Sequence, residues 1–193
     1  MSDIPQDIIQ LIDRYALPMV LLMLIFAIII YLSRRKIKQS WLNFKTRYCL
    51  NRLGIKQISN LKCPDGLGHH FIIDRLILRH DGITLLIYKR FPGKIFCADE
   101  IDDWTQMLGN KSYRFKNPLY DLDCQVKAVS ACVPNVAING FLFFDHLTEF
   151  PKGHPDRIIH LKKIPEELKR NKHDEVKTSV MAAWKQILLM EKG

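Results

Sequence analysis

Hydrophobic positions along the chain form one long unbroken run, followed by shorter alternating or periodic runs. The long run, YALPMVLLMLIFAIIIYLS (residues 15–33), has nineteen residues and no charge. A bilayer core of about 30 Å needs about 20 helical residues to cross it. Apolar residues on all sides of a helix are typical of a membrane span rather than of a surface helix. The pattern therefore predicts a transmembrane helix, with Pro18 tolerated near its first turn.

Charges on either side of this run predict how the helix is oriented. The N-terminal segment, residues 1–14, is mainly acidic, whereas residues 34–47 hold six basic residues and no acidic one. Since positive residues stay on the cytoplasmic side, we expect residues 1–14 outside and the rest of the chain in the cytoplasm. A cleaved signal peptide would begin with basic residues instead. Basic side chains attract anionic headgroups, so residues 15–38 are expected to contact membrane lipid.

The rest of the chain combines helical and strand periodicity. Residues 36–53 have apolar side chains at helical spacing and predict a helix continuing from, or just after, the span. Asp81-Gly82 between two alternating runs predicts a β-hairpin of residues 70–79 and 83–90. Further predictions are a loop at 62–68, strands at 94–98, 136–144 and 157–161, and helices at 118–133, 164–170 and 174–190. Strands mixed with covering helices indicate an α/β fold with a mixed sheet.

The hairpin would bring one acid and one amine together. If Asp81 and Gly82 are the two loop residues, Asp74 lies directly opposite Lys89 at the end of an otherwise apolar sheet face. Opposed Cβ atoms lie about 4.5–5.5 Å apart, so the two side chains would be adjacent. A one-residue slip would remove this pairing. A cross-strand ion pair without any further role explains the two residues equally well.

Composition narrows the other possibilities. The five cysteines contain no CxxC pair, which favours reduced thiols over a disulfide framework. Cys63 with His69 and His70 lacks the fourth ligand and the spacing of a zinc site. The chain has no GxGxxG, P-loop or HExxH motif. The net charge of +9 suits anionic lipid, nucleic acid or an acidic protein.

Basic and aromatic residues alternate within one segment. Its members are Trp104, Lys111, Tyr113, Arg114, Phe115 and Lys116. Nucleic-acid surfaces combine cations for phosphates with aromatic rings for bases. A solvated loop with its aromatic rings packed inward is an equally good interpretation. Our candidates for nucleic-acid contacts are Lys94, Lys111, Arg114 and Lys116.

The order and spacing of several short motifs resemble those of the nuclease-related domain (NERD) family, which is similar to the PD-(D/E)xK nucleases. The matching residues are Ile73-Asp74, Gly82, Lys89, Gly93-Lys94-Ile95, Trp104-Thr105-Gln106 and Asn117-Pro118. The likeness covers roughly residues 40–170. It implies a restriction-endonuclease-like mixed sheet flanked by helices, in a domain of residues 48–193. It also implies that Asp74 binds Mg²⁺ and that Lys89 is the catalytic amine beside the scissile phosphate.

Two departures from the family pattern bear on catalysis. Ile87 stands two residues before Lys89, where the family has Glu, and residues 14–64 contain no acidic residue. Since Mg²⁺ prefers several oxygen ligands, Asp74 alone is a poor site. Carboxylates that could replace the lost ligand are Asp99, Glu100 and Asp121.

These observations favour a membrane-anchored protein that binds nucleic acid, with Mg²⁺-dependent phosphodiester hydrolysis as an open possibility. The first alternative is a catalytically inactive scaffold or binding module of the same fold at the inner membrane face. The second is a membrane-assembly protein that uses its basic face to bind lipid. Binding of nucleic acid would fall with salt, because it releases counterions.

Overall fold

The computed structural model of this chain describes residues 6–64, 70–161, 163–169 and 175–190. In chain order its elements are α1 (Gln6–Leu50), β1 (Lys56–Pro64), β2 (His70–Leu78), β3 (Gly82–Lys89), β4 (Gly93–Phe96), β5 (Asp103–Leu108), β6 (Lys111–Lys116), α2 (Pro118–Cys132), β7 (Ala137–Phe144), β8 (Thr148–Glu149), β9 (Ile158–His160), a 3-10 turn (Glu166–Leu168) and α3 (Thr178–Met190). The chain divides into two compact units, Met1–Lys45 and Thr46–Gly193.

The first unit contains most of helix α1. The part of this helix from Arg14 to Leu50 is long and apolar enough to cross a membrane, and its most apolar window is not buried within the protein. The structure thus has one candidate membrane-spanning helix near the N-terminus. The helix expected over residues 36–53 is the continuation of α1, which ends at Leu50.

A five-stranded mixed sheet forms the centre of the second unit. Its strands lie in the order β1-β2-β3-β7-β9. β1, β2 and β3 are antiparallel neighbours, whereas β7 runs parallel to β3 and β9 parallel to β7. The carboxyl ends of β3, β7 and β9 consequently meet at one edge of the sheet.

Helices pack against this sheet and close its core. Helix α2 contacts β7, and α3 contacts β1 and β3. Their buried residues, Leu119, Leu122, Val129, Val180, Ala183, Trp184 and Ile187, share one apolar cluster with strand residues such as Leu76, Leu85 and Leu142. A second cluster joins Leu50, at the end of α1, to Ile77, Leu86 and Phe143. The predicted α/β fold with a mixed sheet and flanking helices is confirmed.

A second sheet of four strands, in the order β6-β5-β4-β8, follows the hairpin in the chain. The strand predicted near residues 94–98 exists as β4, but it belongs to this sheet and not to the hairpin sheet. β5 and β6 were not predicted as strands, because the alternation of basic and aromatic residues in this segment was interpreted as either a nucleic-acid surface or a solvated loop. Two-residue alternation is nevertheless present, since Trp104 and Gln106 are buried while Asp103 and Met107 are exposed.

Other sequence predictions differ at their ends. Of the loop expected at residues 62–68, residues 62–64 belong to β1 instead, and the positions from 65 onward lie outside the described residues. The helix expected at 164–170 is only the 3-10 turn Glu166–Leu168. The last helix begins at Thr178 rather than at 174. Helix α2 and strands β7 and β9 lie where the pattern predicts them.

The predicted hairpin register is wrong by two residues. Leu78 pairs with Ile83, and the Arg79 amide donates to the Gly82 carbonyl at 2.9 Å, so His80 and Asp81 are the loop residues. Gly82 is not in the left-handed region and lies inside β3. A Cβ atom there would lie 2.6 Å from the carbonyl oxygen of Ala137 on β7. The close approach of two parallel strands, and not a tight turn, therefore requires this glycine.

We expect Gly82→Ala to lower the free energy of unfolding by about 1–3 kcal/mol, because the added methyl group overpacks the contact with Ala137. Denaturant unfolding of the full chain in detergent, followed by the fluorescence of buried Trp104 and Trp184, measures the change. Gly109→Asn is the control, since a Cβ at Gly109 meets no atom within 4 Å and Asn tolerates its φ of 59°. Equal stability of the two variants would contradict the observed strand contact.

Candidate nuclease-like site and nucleic-acid interface

Asp74 lies at an interruption of strand β2. Ile73 and Leu76 belong to the same buried cluster although they are three residues apart, so the two-residue alternation breaks between them. On the neighbouring strand β1, Asn60 has a φ of 58°, and Leu61 and Ile58 likewise share that side of the sheet. The alternation predicted through Asp74 is therefore not continuous in the folded chain.

The carboxylate of Asp74 has a structural partner. The paired residues of β2 and β3 end at Arg75 and Leu86, and beyond them the backbone amide of Tyr88 donates to Asp74 Oδ2 at 2.8 Å. The side chain thus replaces a strand carbonyl where the two strands separate. A buried backbone N–H without a partner is costly. The hydrogen bond to the Tyr88 amide is therefore a sufficient structural reason for an acceptor at position 74.

Lys89 is the last residue of β3 and is half-buried. The observed pairs of β2 and β3 follow a register two residues away from the one that placed Lys89 opposite Asp74, and these pairs end at Arg75 and Leu86. Across the described ranges of the chain, no ion pair joins the two side chains. The predicted direct opposition of Asp74 and Lys89 is wrong.

Ile87 occupies the position at which the resemblance implies Glu, and its side chain belongs to the core. Its side chain is only 6% exposed and packs in the main apolar cluster. The alternative carboxylates Asp99, Glu100 and Asp121 are all exposed. Within the described part of the chain, no three His, Cys, Asp or Glu side chains are grouped so that they could hold a metal. The described residues therefore place an apolar side chain, and not a second carboxylate, at position 87 on the strand that carries Lys89.

A buried carboxylate that was not among the site residues predicted from the sequence lies after β7. Asp145 is fully buried; its Oδ1 accepts from the Leu147 amide at 3.0 Å, and Arg90 Nε lies 3.4 Å from its Oδ2. Burial and the negative charge of Asp145 raise the pKa of the nearby Tyr88 hydroxyl. The ion pair with Arg90 compensates the buried charge, which gives Asp145 a structural role at the edge where β3 and β7 end.

Asn117 connects the second sheet to helix α2. It is 1% exposed, and its Oδ1 accepts from the Leu119 amide at 2.9 Å as the N-cap of α2. Its Nδ2 donates to the carbonyl oxygens of Asp99 and Ile101, both at 3.1 Å. The fully buried Trp104 donates from Nε1 to the Ala98 carbonyl at 3.0 Å. These bonds fix the loop of residues 97–102 against the start of α2.

The outer face of the second sheet carries three of the four predicted nucleic-acid contacts. Strand alternation places Ile95, Trp104 and Phe115 on the inner face, where they pack against the main core. Outward-facing residues on the opposite side include Lys94, Phe96, Asp103, Thr105, Arg114 and Lys116. The remaining candidate, Lys111, shares the side of Tyr113 and Phe115. The structure therefore separates Lys111 from Lys94, Arg114 and Lys116.

A cavity of about 630 Å³ opens on this outer face. Phe96 and Thr105 contribute from neighbouring strands, and Arg114 and Lys152 add positive charge. Two carboxylates also line it: Asp102 accepts from Tyr120 at 2.8 Å, and Asp103 pairs with Lys116 at 3.0 Å. Hereafter we call this space the sheet cavity.

Cys97 also lines the sheet cavity but is a poor nucleophile. Burial, reinforced by the negative charge of Asp99, raises the pKa of its thiol to about 12. The thiolate is the reactive form of cysteine. At neutral pH the Cys97 thiol is almost entirely protonated and is therefore unreactive. The cavity is therefore suited to binding rather than to covalent chemistry through Cys97.

The fold defines a mixed α/β protein with a second, smaller sheet inserted after the central hairpin. A family model for the nuclease-related domain (NERD) matches residues 35–145, which is more than half of the chain. This protein therefore belongs to the NERD family. The match both begins and ends earlier than the region of residues 40–170 that the motifs indicated. No curated protein and no solved structure matches the chain significantly.

The structure distinguishes two possible roles of Asp74. We expect Asp74→Asn to leave the free energy of unfolding nearly unchanged, because the amide oxygen can still accept from Tyr88. Asp74→Ala removes the acceptor and should cost about 1 kcal/mol. Denaturant unfolding of both variants in detergent provides the comparison. Equal destabilisation of the two variants would show that the charge, rather than the hydrogen bond, is what the fold requires.

Proposed function

We propose that this NERD-family protein is a membrane-anchored nucleic-acid-binding protein whose binding does not depend on a divalent metal. Family membership supports a nuclease-like or nucleic-acid-related role. The main support for metal-independent binding is that the buried Ile87 stands where a second metal-binding carboxylate would be expected. The outward-facing Lys94, Arg114 and Lys116 supply cations for phosphate groups.

Asp74 and Lys89 keep the identities that the resemblance assigns to a metal ligand and a catalytic amine. The hydrogen bond that Asp74 accepts from the Tyr88 amide favours a positioning and electrostatic role for the two residues over phosphodiester hydrolysis. A cationic Lys89 still attracts a phosphate without any metal. Hydrolysis supported by Mg²⁺ is accordingly the second candidate, and the same samples test it.

Binding of nucleic acid by the full chain in detergent micelles should fall steeply with salt and be unchanged by a chelator. If about three phosphates are neutralised, raising salt from about 50 to about 200 mM should weaken binding at least about tenfold. Fluorescence anisotropy with labelled single-stranded and double-stranded oligonucleotides measures this. The oligonucleotides should remain intact in Mg²⁺ or Mn²⁺.

Three results would contradict the proposal. Loss of binding on chelation would show that a metal is needed after all. Metal-dependent cleavage that Asp74→Asn abolishes would identify an enzyme, because this variant keeps the hydrogen bond to Tyr88 and therefore reports on the carboxylate charge alone. Absence of binding even at low salt would exclude nucleic acid as the partner.

The membrane arrangement is also part of the proposal. We propose that residues 15–33 span the bilayer with residues 1–14 outside, that residues 15–38 contact lipid, and that the NERD domain is cytoplasmic. The acidic start and the six basic residues at 34–47 support this orientation. A helix long and apolar enough to cross a membrane is present at this position.

Cysteine labelling tests the orientation directly. Cys124 is exposed on helix α2, and all five cysteines follow the proposed span. A membrane-impermeant maleimide should fail to label Cys124 in intact cells and should label it after permeabilisation. Cys124→Ser identifies the part of the signal that comes from this residue. Labelling of Cys124 in intact cells would show that the orientation is the opposite of the one proposed.

A further inference from the structure

We infer that the sheet cavity binds one unpaired nucleotide of a single-stranded nucleic acid, with its base against Phe96 and its phosphate on Arg114 and Lys152. This inference rests on the proposed nucleic-acid binding and assigns it to a particular surface. The residues that line this cavity do not include the nuclease-like Asp74 and Lys89. It also predicts a preference for single strands that the family membership alone does not supply.

The ring of Phe96 provides a surface on which a base can stack. Phe96 is half-buried on the outer face of β4, and it is the aromatic side chain that lines the cavity. Lys152 Nζ lies 5.9 Å from the centre of the Phe96 ring, within cation–π range. Single-strand binding surfaces pair an aromatic ring with a nearby cation, because every base has a face that stacks. The same combination is present here.

The guanidinium of Arg114 provides a group that can bind the phosphate. Arg114 is exposed and lies beside Thr105, its partner across β5 and β6. In the part of the chain that the structure describes, Arg114 has no hydrogen-bond or ion-pair partner. Lys116, two residues away, is instead paired with Asp103. Arg114 can therefore use its planar fork of donors for a phosphate without breaking a bond within the protein.

The cavity carboxylates restrict where the phosphate lies. Asp102 and Asp103 repel a phosphate, which leaves the side of Arg114 and Lys152 as its position. Carboxylate oxygens accept from the amino groups of bases, so they suit the base end of a nucleotide. The volume of about 630 Å³ lies in the range of small-ligand pockets. A paired base cannot enter, because its face is stacked inside the duplex.

Anisotropy with a labelled single-stranded oligonucleotide and the full chain in detergent tests the inference. Phe96→Leu keeps an apolar side chain but removes the ring, and should weaken binding about tenfold, while Phe96→Tyr should bind as the unmodified protein does. Arg114→Ala should weaken binding and reduce the salt slope by about one. Lys111→Ala is the matched control, because Lys111 lies on the same strand with the same charge but on the other side of the sheet.

A second measurement does not depend on any variant being folded. An oligonucleotide with a photoreactive base, irradiated with the unmodified protein, should crosslink to peptides from β4 or β6, as identified by mass spectrometry. A duplex of the same sequence should compete at least about tenfold less well than the single strand.

The outcomes separate this inference from the proposed function. Binding that is unchanged in Phe96→Leu and Arg114→Ala, or crosslinks confined to the region of Asp74 and Lys89, would overturn the cavity assignment and leave nucleic-acid binding intact. Equal loss in Lys111→Ala and Arg114→Ala would indicate unspecific attraction to charge and would also overturn it. Failure of the unmodified protein to bind would remove both conclusions.

Discussion

The hydrogen bonds of Asn117 hold the second sheet in place, and the surface proposed to bind nucleic acid depends on them. One oxygen caps helix α2, while the amide nitrogen of the same side chain fixes two carbonyl groups of the preceding loop. Because the side chain is buried, each of these groups would be costly to leave without a partner. The loop in turn places Asp102 at the sheet cavity, next to the start of the outward-facing strand β5.

The motifs that reveal the family act mainly in building this scaffold. Trp104 is fully buried and bonds to the Ala98 carbonyl, and Gln106 donates to the Pro92 carbonyl at 2.7 Å. Thr105, between them, faces outward into the cavity. A Trp-Thr-Gln sequence thus combines two residues that attach the second sheet to the core with one that remains at its surface. Family membership can be detected from such residues whether or not the nuclease chemistry is retained.

Sequence periodicity predicted the fold class and most of the central strands, because their apolar residues repeat at two or at 3.6 positions. It did not predict the hairpin register, since Asp81-Gly82 has the composition of a tight turn while Gly82 is in fact required by the backbone of Ala137. The interruption of β2 at Asp74 could not be predicted either, because it depends on where β2 and β3 separate in the folded chain. β6 was missed because Lys111, Arg114 and Lys116 gave its segment the charge of a loop. The sheet cavity joins Lys152 to residues some fifty positions earlier, a proximity that only the folded chain provides.

Positions 74 and 87 of the nuclease-like site differ in whether the fold accepts a carboxylate without a metal. Glu at position 87 would have to lie in the apolar cluster that Ile87 now completes, and an unpaired charge there is far more costly than an isoleucine. Asp74 is different, since its carboxylate satisfies the Tyr88 amide whether or not a metal is bound. An acid at position 74 is therefore stable without catalysis, while an acid at position 87 needs a cation to compensate it. Under the metal-independent binding that we propose, a carboxylate at position 87 would have no compensating cation, whereas the one at position 74 keeps its structural use, and this is the combination that the chain contains.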